Sequence, residues 1–120
     1  YRIVHEGRPL SSPPTVRPGD VAAWVPLLAH ANGHWRDTAQ RMLVASRSTV
    51  VVPGVRALAM THGDARVRLH ALWTLDGLGA ADEALVREKL QDASLHVRSA
   101  AVRVAEARLS DPAVRRAVLA

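Results

Sequence analysis

The chain has 120 residues, enough for one domain with a modest core if its elements stack. It contains no cysteine, which excludes disulfide staples, thiolate metal sites and cysteine nucleophiles. Its net charge is +5, and Lys89 is the one lysine among 16 basic residues. The arginines are scattered over the chain rather than gathered in a run, so a coding bias towards arginine explains the charge as well as an acidic partner would. Apolar residues make up 48 %, with no Phe and one Tyr, so the core has to be Leu, Val and Ala around three Trp.

Residues 1–18 differ from the rest. Tyr1-Arg2-Ile3-Val4-His5-Glu6 alternates as a β-strand does, and Gly7 ends it. Pro9, Pro13, Pro14 and Pro18, with Ser11 and Ser12, then make an extended linker. A single strand has no partner here, so 1–18 reads as the terminal strand of a preceding domain plus a linker. The start at Tyr1 agrees with a segment of a longer protein, and no signal-peptide pattern opens it.

Helical periodicity takes over at Gly19 and holds to the end, making 19–120 the second unit. Asp20 is a candidate N-cap for a helix over about 20–30 with Trp24, Leu27 and Leu28 on one face, bent by Pro26. Asn32-Gly33 makes a turn, and a helix over 34–46 buries Trp35, Ala39, Met42 and Leu43. Further helices are expected over 50–60, 65–78, 82–91 and 95–109. Gly77 and Gly79 close the third of these five helices after Asn32, and Ser110-Asp111-Pro112 opens another. No apolar run approaches the roughly 20 residues that a membrane-spanning helix needs.

These helices repeat. Trp35-Arg36-Asp37-Thr38-Ala39, Val67-Arg68-Leu69-His70-Ala71 and Val97-Arg98-Ser99-Ala100-Ala101 each put a large apolar residue and an Arg at a helix start, with Ala three residues after the Arg. The arginines are 32 and 30 residues apart, and Trp24, Val55 and Val86, which begin the preceding apolar faces, are 31 and 31 apart. A fixed period of this size predicts an all-α solenoid of about three helix pairs.

The repeats resemble HEAT repeats, an armadillo-like helical architecture, including the proline-bent first helix and the Val-Arg pair opening the second. The string from Asn32 to Leu43, with Leu69 to Leu78, is similar to the helical segment of large bacterial membrane-bound dehydrogenases of the sorbosone/glucose type. His34 departs from the pattern, which commonly has Trp there. In that family a β-propeller precedes the HEAT repeats and a haem-binding cytochrome c domain often follows. The resemblance therefore implies that Tyr1 to Gly7 is the last propeller strand, that the flanking domains are partners, and that the protein is exported or periplasmic. The family's chemistry would lie in those domains, so the resemblance places no catalytic residue and no cofactor in this segment.

The residues themselves point the same way. His30 and His34 have the four-residue spacing of a metal pair, but Asn32-Gly33 should break the helix between them. Asp82 and Glu83 open a helix, where negative charge suits the dipole. Asp37 is placed to pair with Arg41 one turn on. Trp73 aligns with the polar positions Arg41 and Arg103, making these three the candidate interaction surface.

Arg36, Arg68 and Arg98 share one position, and Asn32, Asp64 and Asp92 lie in the turns before them. They predict an inter-repeat ladder in which Arg36 reaches Asp64 and Arg68 reaches Asp92, while Arg98 looks to a following repeat or to Asp111. The sequence thus reads as a non-catalytic scaffold or protein-docking module without a cofactor. The alternative is a nucleic-acid-binding HEAT-like domain using scattered Arg, against which 11 interleaved acids count.

Overall fold

The computed structural model describes residues 14–108, with only the backbone at Arg108. The expected strand at 1–7, most of the linker and the helix after Pro112 lie outside the described residues. Within them the protein is all-helical. Two short 3-10 turns, Val21–Trp24 and Pro26–Ala29, precede five α-helices. These are α1 (Gly33–Ser46), α2 (Val52–Thr61), α3 (Ala65–Gly77), α4 (Glu83–Leu90) and α5 (Leu95–Arg108).

The helix boundaries follow from local chemistry. Asn32, Asp64 and Asp82 each stand in extended backbone before a helix and accept a first-turn N–H, from His34 (2.9 Å), Arg66 (2.8 Å) and Leu85 (2.9 Å) respectively. Pro53 sits in the first turn of α2, where its missing N–H costs nothing. α3 ends in a Schellman motif: Ala80 N–H donates to Leu75 C=O (2.8 Å) and Gly79 N–H to Asp76 C=O (3.0 Å). Gly79 has φ +71°, the left-handed conformation this cap requires.

The single helix expected over 20–30 is instead a pair of 3-10 turns. Pro26 has no N–H to donate, and it starts a new turn rather than bending one continuous helix.

α2 packs on α3 and α4 on α5, while α3 also touches both α1 and α5. The second helices of the pairs therefore form a continuous row, α1–α3–α5. Their apolar faces close over Leu28, Leu43, Val55, Leu72, Leu75, Leu85, Val97 and Val104, all essentially inaccessible to water. Each such leucine contributes about 1.5–3 kcal/mol of burial free energy. Gly77 lets α1 approach α3 closely: a Cβ there would stand 2.6 Å from a methyl of Val44.

Two of the four residues expected to be buried on α1 are not fully inside, and Leu58 and Leu90, also expected inward, are partly buried. Met42 is 46 % exposed. Trp35 is half-buried and lies edge-on to His34, with ring centroids 4.9 Å apart, although Val67 and Val97 at the equivalent position are covered.

Candidate functional site

The polar chemistry of the described residues gathers at the turns that enter α1, α3 and α5. The three turns are built alike. His30 Nδ1 accepts the N–H of Asn32 (2.9 Å), His62 Nδ1 that of Asp64 (3.0 Å), and Asp92 Oδ1 that of Ser94 (2.9 Å). Six residues after each of these acceptors comes the repeated arginine, folded back over its own helix start. Arg36 Nη1 donates to the carbonyls of His30 (2.7 Å) and Ala31 (2.9 Å). Arg68 Nη1 does the same to His62 (2.8 Å) and Gly63 (3.1 Å), and Arg98 Nη1 to Asp92 (2.8 Å) and Ala93 (3.2 Å). A planar guanidinium thus closes each turn by satisfying two carbonyls that no helix supplies with donors.

The arginines differ at their other edge. Arg68 grips Asp92 with both Nε (3.0 Å) and Nη2 (2.9 Å). Lys89 Nζ reaches the same carboxylate (3.1 Å) and donates to Ala59 C=O (2.6 Å) in the last turn of α2. Lys89 is 3 % exposed and Asp92 8 %. Burial alone would raise the Asp92 pKa, but the bonds from Arg68, Ser94 N–H and Lys89 outweigh it and hold the carboxyl well below the usual carboxylate range. Asp92 in turn holds the Arg68 guanidinium more firmly protonated. The cluster joins α2 and α3 to α4 and the turn before α5.

Arg36 does not reach Asp64. That carboxylate accepts instead from Arg66, at Nε (3.3 Å) and Nη2 (3.1 Å), two residues along on the same turn. The ladder expected from Arg36 to Asp64 is therefore corrected. Asp64 stands four residues before its arginine, in the N-cap position, whereas Asp92 stands six before. The residue of the second turn that matches Asp92 is His62. Arg98 bonds its own turn, and the Asp111 considered for it lies outside the described residues.

Of the proposed interaction surface, Arg41 and Arg103 are exposed and Trp73 is half-buried against the core. Asp37 turns from Arg41 towards His70 of α3 (3.7 Å), whose Nδ1 also lies 2.9 Å from Gln40 Oε1. Burial lowers the His70 pKa; Asp37 acts to raise it and Arg36 to lower it further. His30 and His34 do not share a helix, since α1 begins between them, and no group of three or more His, Asp or Glu side chains is placed to hold a metal among the described residues. No described helix is long and apolar enough to cross a membrane.

Sequence reasoning missed Lys89. The signal was present: the one lysine of the chain occupies the position of Leu58, 31 residues earlier, on a face that is otherwise apolar. Beside the ion cluster, Met60, Thr61, His62, Glu88, Gln91 and Ala93 border an open polar groove of about 360 Å³ between the second and third turns. No protein-family description, curated protein or solved structure matches this chain.

Proposed function

We propose that residues 19–120 are a HEAT-type α-solenoid that works as a non-catalytic docking module of a larger multidomain protein of the dehydrogenase and cytochrome kind. The carrying observation is the arginine clamp, formed identically in three successive turns, with the second helices of each pair in one row. Helix pairs joined in this way bury one face on their neighbours and leave an extended surface for a partner. In this reading residues 1–18 tie the module to a preceding β-propeller, and the exposed edge carrying Arg41, Trp73 and Arg103 faces a neighbouring domain.

Limited proteolysis of the full-length parent protein tests the reading. Cleavage within 8–18 should release a helical fragment that melts cooperatively and rebinds the remainder. A fragment that unfolds on release, or one that folds but has no affinity for the other domains, overturns it. A nucleic-acid function is less well supported, because Arg36, Arg68 and Arg98 are bound to their turns while Arg56 and Arg66 are paired with Asp82 and Asp64. A DNA titration at low salt should accordingly give no binding, since phosphate contacts would be strongest there.

A further inference from the structure

Arg36 is a buried arginine whose second edge the described protein leaves unmatched. It is 8 % exposed, its Nε has no hydrogen-bond partner, and no described carboxylate lies within ion-pair distance of it. A buried cation in this condition is unfavourable unless an anion meets it.

The equivalent Arg68 shows what that edge takes. Its Nε and Nη2 hold the two oxygens of one carboxylate, while Oδ1 of that same carboxylate still accepts Ser94 N–H. At the first junction the corresponding residue is His62. Its Nδ1 is occupied by Asp64 N–H, and an imidazole has no second acceptor beside it. Lys89 is replaced there by Leu58, so the other cation that shares Asp92 is gone as well. Gly33 adds clearance: a Cβ at this position would sit 3.1 Å from Arg36 Nη2, and the equivalent residues are Ala65 and Leu95.

We propose that the Nε–Nη2 edge of Arg36 is a binding site for a carboxylate supplied from outside the chain, either a free monocarboxylic acid or an acidic side chain of a docked protein. The site is independent of the solenoid reading, and its failure would leave that reading untouched.

The test follows the arginine Nε–H resonances of the 15N-labelled full chain, with Arg36 assigned through bonds from its own backbone. Sodium acetate replaces sodium chloride at constant ionic strength. The Arg36 resonance should shift and saturate while that of Arg68, already on Asp92, stays in place. An acidic hexapeptide titrated in parallel separates the two sources: tighter saturation by acetate assigns a free acid, and tighter saturation by the peptide assigns a docked chain. In His62→Asp the Arg36 resonance should occupy the bound position without acetate and stop responding, and the melting temperature should rise by several degrees. A linear drift shared with exposed Arg103 overturns the proposal. So does an unmoved Arg36 in His62→Asp, and so does an acetate-free shift in Glu6→Gln, which would place the carboxylate within the chain itself.

Discussion

Replacing Asp92 by Asn removes one charge and leaves the volume nearly unchanged, which makes it the sharpest probe of the ion cluster. The Asp92 side chain is 4 % exposed and accepts four hydrogen bonds, two from Arg68 and one each from Lys89 and Ser94. Asn can keep the bond to Ser94, but its amide cannot balance two cations, of which Lys89 is 3 % exposed. Leaving a buried charge without its counter-charge costs about 3–5 kcal/mol. A domain of this size has a total stability of about 5–15 kcal/mol, so a loss of about 3–5 kcal/mol is roughly a fifth of it or more. That corresponds to a fall of roughly 10–30 °C in melting temperature. Urea unfolding followed by circular dichroism measures it, with the slope against denaturant expected to stay constant. Glu83→Gln serves as the control: its pair with Arg87 is about half exposed on both sides and is worth only about 0.5 kcal/mol. If Asp92→Asn costs no more than that control, the cluster is not a buried ion network and the reasoning fails. Adding Lys89→Met to Asp92→Asn should restore part of the loss, because one stranded cation is then gone.

Other outcomes follow from the same geometry. Because the folded-state pKa of Asp92 is depressed, its stabilisation is complete above the ordinary carboxylate range near pH 4 and is lost as pH falls below it; melts between pH 5 and 2 should show a steeper decline in the wild type than in Asp92→Asn. For His70 the folded pKa is also depressed, so protonation opposes folding: stability present above pH 6.5 should fall on acidification towards pH 5, and His70→Gln should flatten that part of the profile. Gly77→Ala gains at most about 1 kcal/mol of helix propensity but forces a methyl against the stiff Val44, an overpacking worth about 1–3 kcal/mol, so it should destabilise. In a Val44→Ala background the same change should turn neutral or stabilising, and equal effects in both backgrounds would remove Val44 as the cause.

Much of the helical order was legible because caps and breakers coincide with the period. Asn32, Asp64, Asp82 and Pro53 sit where the apolar pattern resumes, and each α-helix lies close to its expected place. What misled was alignment by residue type. Asp64 and Asp92 look alike in a turn, yet one caps a helix and the other stands two residues earlier in its repeat, and only the second faces the preceding arginine. The 3-10 turns around Pro26 escaped for a different reason: apolar spacing over ten residues does not distinguish an α-helix from two tighter turns. Lys89 shows the reverse error, since a charge reads as a surface residue until a partner carboxylate and a helix-end carbonyl are known to be within its reach.

The joints between successive helix pairs are not made of the same material. The later one is riveted by opposite charges reaching across from α3 to the turn before α5, and such a rivet resists both sliding and separation. The earlier one relies on a glycine notch under Val44 and on a ring-to-amide contact between His70 and Gln40. The first joint is therefore held by close fit and a polar contact, and the second by charge as well.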